Sequence, residues 1–187
     1  MKTLTRILNL TCLLGIIFLM LPKTECYAQN KKMSDQELTN ESTAVLYGKC
    51  SKVRSEWNEN KSIIYTYITI IPEEYIKGNL GPEAVIAVPG GRVDDIIYEV
   101  SEMPVFNEGE EVLAFIWTNP EGKNLVTGGF QGKMKIEKDS KTGKRVVEGI
   151  GIDMESAKED QGKAAAIKPE KVLLEDFVVK LKGYAKN

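Results

Sequence analysis

The side chains able to do chemistry in this chain are carboxylates, lysines, tyrosines and thiols, because it contains no histidine. That removes Ser-His-Asp and Cys-His catalysis, an imidazole general base and the usual zinc sites at once. Carboxylates gather in two places. Asp94-Asp95 lie within "AVIAVPGGRVDDIIYEV" (residues 84–100). They read either as ligands of a hard cation, with Glu99 or Glu102 curling in, or as a solvated loop. Neighbouring carboxylates point apart in an extended chain, and calcium takes about six or more oxygens, which favours the loop. Glu108, Glu110 and Glu111 lie in "FNEGEEVL" (residues 106–113). Paired carboxylates hydrolyse glycosides when held about 5–9 Å apart across a cleft. These three flank a Gly109 turn that leads into an apolar run, which is the pattern of exposed turn charges.

Two further features offer a ligand something to hold. Pro89-Gly90-Gly91 presents bare backbone, as phosphate-cradling loops do. Such loops open a helix whose N-terminus supplies the amides, whereas "RVDDIIYEV" reads as loop and strand. Pro at a strand end and Gly for a turn is therefore the structural reading. Among the aromatics, Trp57, Tyr65, Tyr67, Phe106 and Trp117 are candidates for a binding face or for a core. The binding candidates are thus Trp57, Pro89, Gly90, Gly91, Phe106 and Trp117, with Asp94 and Asp95 as metal candidates. No cofactor signature is present, and no catalytic set can be named.

The chain's organisation sets where these residues act. Lys2 and Arg6 precede an apolar stretch, Ile7 to Leu21, and Cys26-Tyr27-Ala28 places small residues where a signal peptidase reads. The apolar run is shorter than the roughly 20 residues a bilayer span needs. We expect a signal peptide over residues 1–28 and export, secreted or periplasmic, with no stable membrane span after cleavage. Cleavage would remove Lys2, Arg6, Lys23 and Glu25, moving the net charge from −2 to −4. With both signs interspersed and no basic stripe, nucleic acid is not an expected partner. Of the three cysteines only Cys50 would remain, so no intramolecular disulfide is available. In "VLYGKCSKV" it reads as a small buried hydrophobe and free thiol, with a reactive or bridged thiol as the alternative.

Strand signals fill the middle of the chain. Residues 29–43 are polar and read as a flexible N-terminal arm or a short helix. Thr43 to Lys52 is the first strand. In "SIIYTYITIIPEEYIKG", Ile64, Thr66, Ile68 and Ile70 alternate with Tyr65, Tyr67 and Thr69. Pro72 should interrupt that ladder or sit at an edge. Glu83 to Pro89 and Ile96 to Val100 follow. "EEVLAFIW" (residues 110–117) is apolar on both faces, which predicts a barrel on one side and a helix or loop on the other. Leu125 to Thr127, Lys133 to Glu137 and Arg145 to Glu148 complete the set, with a hairpin at Asp139 to Gly143.

The tail changes character. Residues 153–168 read as a linker, and Pro169 opens a helix over 169–183 that Gly183 can close. Leu173, Leu174, Phe177, Val178 and Leu181 give it an apolar stripe suited to packing on the barrel, or to a partner. Seven or eight short strands and one helix predict a mainly β fold: a single small OB-like antiparallel β-barrel, residues 44–152, with a C-terminal α-helix.

A wider pattern covers roughly Val45 to Glu137. It consists of Gly48, Trp57, Thr66, Lys77-Gly78, Pro89-Gly90-Gly91, Pro104, Phe106, Gly109 to Leu113, Gly128 or Gly129, and Gly132-Lys133. This set resembles an uncharacterised family of secreted bacterial proteins, some of which accompany matrixin-like metalloproteases. More distantly, the order of strands, Lys-Gly and Gly-Glu-Glu is similar to netrin-like modules, including tissue inhibitors of metalloproteinases. That resemblance implies an OB-type barrel with a C-terminal helix. Those inhibitors act through a disulfide-locked N-terminal Cys, and the expected start at Gln29 has none, so their mechanism does not carry over. Fold likeness alone never assigns function. The expectation is an exported, non-catalytic module that binds a protein or peptide, with a link to secreted metalloproteases. The competing expectation is a carbohydrate-binding or carboxylate-based hydrolase barrel built on Glu108, Glu110 or Glu111 beside Trp57 or Trp117.

Overall fold

β-Branched and aromatic residues dominate residues 64–77, which fold as the long strand β2 (Ile64–Lys77), antiparallel to an equally long β1 (Ala44–Trp57). The computed structural model describes residues 32–149 and 170–186, which belong to one compact unit. The expected signal peptide (1–28), the start of the arm and the linker (153–168) lie outside the described residues. Asn58 makes the β1–β2 turn: its side-chain oxygen accepts from the Ser62 and Ile63 amides at 2.8 and 3.1 Å.

The chain continues through β3 (Ala84–Pro89), β4 (Gly91–Val93), β5 (Ile96–Tyr98), β6 (Glu111–Thr118) and β7 (Asn124–Val126). Strands β1, β2, β3, β7 and β6 pair in that order, and β6 returns to β1, closing a five-stranded barrel. All of its pairings are antiparallel except β3 with β7. This is the mainly β, OB-like barrel that the strand pattern predicts. Closure depends on β1, which pairs with β2 along its length and with β6 through Ala44–Lys49. Three register shifts bend it between those duties. One lies beside Gly48, which faces Pro72 so closely that a Cβ would come within 2.2 Å of the Ile71 carbonyl. The β1–β2 ladder runs on past Pro72 with a register shift beside it. Pro72 lies beyond the β3 pairing, where β2 has a neighbour on one side only among the described residues, the edge position expected as the alternative to an interruption.

A short 3₁₀ turn at Gly129–Gly132 leads to β8 (Lys133–Lys138) and β9 (Arg145–Gly149), joined at the expected Asp139 hairpin. These extend outward from β6. Helix α1 (Asp35–Glu41) lies within residues 29–43, as the short-helix alternative for that segment anticipates, and Ser34 and Glu37 start it with a reciprocal capping box. At the C-terminus, residues Glu170–Leu173 form β10 on the open edge of β9, so helix α2 spans Leu174–Tyr184 and not 169–183. The helical stripe explains the late start. Its buried members are Leu174, Phe177, Val178 and Leu181, spaced for one helical face, while Leu173 remains extended as the cap.

Two cores result. Leu46, Cys50, Ile68, Ile70, Ile86, Val112, Ala114 and Ile116 fill the barrel. Val45, Leu113, Phe115, Ile136 and Val147 face outward and meet α2 through Phe177 and Leu181. Strand β6 is thus covered on both faces, as its continuous apolar run requires. Among the described residues, no helix is long and apolar enough to cross a membrane.

Candidate functional site

The residues after β3 leave the barrel instead of continuing it. Gly90 and Gly91 adopt φ of 109° and 137°, a region closed to most side chains, and swing the chain away. A Cβ on Gly91 would stand 2.4 Å from Thr66 Oγ1 and 2.5 Å from Ser55 Oγ. Those two hydroxyls bond each other at 2.9 Å, and Thr66 donates to the Gly90 carbonyl at 2.7 Å. Pro-Gly-Gly is therefore a structural pivot. Beyond it, β4 and β5 form a two-stranded ribbon of their own, a correction to the expected barrel strand at Ile96 to Val100. Asp94, at φ 52°, and Asp95 make its tip.

Ribbon and pivot enclose a cleft of about 580 Å³ with the segment Val100 to Phe106. Val88, Met103 and Phe106 give it apolar walls, Gly90 and Gly91 contribute bare backbone, and Glu99 stands at the border. Phe106 is buried in the barrel core. Ribbon and rim are apolar and wet: Ile96 and Ile97 are 53 and 60% exposed, and Tyr98 and Val105, which also line the cleft, are 39 and 74% exposed. Grouping of large apolar side chains at the surface marks an interaction site, whereas isolated ones do not. Beyond its pairing with β4, β5 has no strand on its outer edge among the described residues.

The structure thus unites Pro89, Gly90, Gly91 and Phe106 but not the tryptophans. Trp57 lies half-buried at the end of β1, opposite Ile64. Trp117 lies on the barrel's outside, in a row across the strands: Arg54, Tyr67, Ala87, Leu125, Trp117. Arg54 sits 5.5 Å over Tyr67, and Lys123 sits 4.1 Å over Tyr65. Asp94 and Asp95 are exposed, and among the described residues no three metal-ligating side chains converge.

A second, larger groove of about 720 Å³ is lined by Tyr47, Lys49, Glu73, Glu108 and Glu111. Its carboxylates already have structural partners. Glu73 takes two hydrogen bonds from Arg145, Glu108 accepts from the Val53 amide at 3.0 Å, and Glu111 lies 3.9 Å from Arg145. The Arg145 bonds hold the Glu73 carboxyl below the usual range, and the Lys182 bond does the same for Glu74. Nearby Glu110 is clamped by Lys133, whose ammonium reaches both carboxylate oxygens at 2.8 Å and the Val105 carbonyl at 2.6 Å. Cys50 is fully buried, and burial pushes its thiol up to about 11.

The residues missed from sequence are Ile97, Tyr98, Met103 and Val105. Their one signal was "IIY" bounded by acids, which period-two reasoning assigned to the barrel. Comparison with protein-family models gives no match, and no curated protein matches the chain.

Proposed function

We propose that this chain is an exported, non-catalytic β-barrel module that binds a protein or peptide partner along β5 and in the cleft beside it. The observation that carries this reading is the open apolar edge Ile96-Ile97-Tyr98, standing off the barrel next to an apolar-walled cleft. An open strand edge gives an extended peptide main-chain hydrogen bonds, and a neighbouring pocket takes alternate side chains. Export enters through the charged start and apolar run of residues 2–21.

Selection of displayed extended peptides against the full chain tests the reading. Enriched peptides should bind the wild type and lose about tenfold or more in affinity to Ile97→Lys, at unchanged melting temperature. Binding that is indifferent to Ile97→Lys, or no enrichment together with thermal stabilisation by a small molecule, would overturn it.

A further inference from the structure

The edge at β5 carries a charge pattern as well as an apolar one. Residues 91–110 hold six carboxylates (Asp94, Asp95, Glu99, Glu102, Glu108 and Glu110) against one arginine and no lysine, in a chain whose net charge is only −2. Four exposed large hydrophobics, Ile96, Ile97, Tyr98 and Val105, fall in the same segment. Lys133, which reaches into it from outside, is taken up by Glu110 and the Val105 carbonyl. Arg92, the segment's own cation, turns its Nε back to the Asp94 carbonyl at 3.0 Å. An apolar strip is thereby framed by exposed carboxylates at the ribbon tip, Asp94 and Asp95, and at the cleft border, Glu99.

We infer that the occupant of this edge is an extended cationic segment, with large apolar side chains at alternate positions and Lys or Arg between them. The inference rests on the peptide-binding reading above and specifies its partner. An extended strand laid along β5 sends one set of side chains toward Tyr98 and the cleft. The other set passes the carboxylates of Asp94, Asp95 and Glu99. Main-chain pairing is indifferent to sequence, so the apolar set fixes register and the cationic set selects the partner. Carboxylates that border an interface act chiefly on encounter and discrimination, and salt weakens them.

Three synthetic peptides, sharing one alternating apolar face and carrying Lys, Gln or Glu between, test this against the full chain by fluorescence anisotropy. The Lys peptide should bind about tenfold or more tightly than the Glu peptide at about 20 mM salt, with the gap closing at about 500 mM. Asp94→Asn/Asp95→Asn/Glu99→Gln should erase the preference while keeping the Gln peptide's affinity and the melting temperature. Equal binding of all three peptides, each lost in Ile97→Lys, overturns the cationic partner and leaves peptide binding standing. No binding by any peptide overturns both. A concentration-dependent dimer abolished by Ile97→Lys makes a second copy the occupant and overturns the inference.

Discussion

Arg145 and Glu73, 72 residues apart, form a two-pronged pair, with Nη1 and Nη2 each donating to a different carboxylate oxygen at 2.6 and 2.8 Å. The pair ties β9, outside the barrel, to β2 within it, and the same guanidinium lies 5.6 Å over the Tyr47 ring. Tyr47 in turn donates to Glu74 at 3.1 Å, and Glu74 is held by Lys182 of α2. Barrel, outer sheet and C-terminal helix are thus joined by one polar chain.

Because Glu73 has its pKa lowered from 4.5 by the Arg145 bonds, its contribution to stability is present above that pH and is lost as pH falls through the lower folded value. Glu73→Gln should cost about 1 kcal/mol or less at neutral pH, since both partners are partly solvated, and nearly nothing under strong acid. Urea denaturation of both proteins across the acid range measures this. An unchanged gap at low pH would contradict it.

Glu110→Gln should act on stability. The Glu110 and Lys133 side chains are 10 and 13% exposed, so removing one charge strands the other. The expected loss is about 2 kcal/mol, and Glu110→Gln/Lys133→Met should lose less than the two single changes summed. A denaturation double-mutant cycle reads both quantities.

Cys50 should resist alkylation in the native chain and react on unfolding, as peptide mapping by mass spectrometry can follow. Its folded pKa is raised from 9.0 to about 11, first by burial and then by Glu110. The folded state keeps a proton that the unfolded chain releases, so the contribution is full below pH 9.0 and is lost as pH rises to about 11. Cys50→Ala should lower stability at neutral pH yet flatten that alkaline decline, a difference on the order of 2 kcal/mol.

Gly91→Ala should destabilise by about 2 kcal/mol or more, because a Cβ there meets Ser55 and Thr66 and φ is 137°. Gly109→Ala, at φ 82° with nothing within 4 Å, should lose only about 1 kcal/mol to backbone strain. Thermal melts of both variants separate steric from conformational cost. Equal losses would show that the Ser55–Thr66 contact imposes nothing.

Period-two alternation in residues 64–70, the doubly apolar run of β6 and the helical spacing of Leu174, Phe177, Val178 and Leu181 were enough to specify a β-barrel with a C-terminal helix. Local pattern decides such features, since burying alternate or every-fourth side chains leaves few backbone choices. It could not assign Ile96-Ile97-Tyr98, whose pattern suits a barrel strand equally well. Nor could it place Glu110, which reads as an exposed turn charge until Lys133 arrives from 23 residues away. Which strand closes the barrel, which carboxylates are neutralised and which apolar run stays wet all depend on partners distant in the chain. Tertiary structure settled them through β1–β6 pairing, through Lys133 at Glu110, and through the positive φ of Gly90 and Gly91, which turned "VPGGRVDD" out of the barrel and left the β5 edge open.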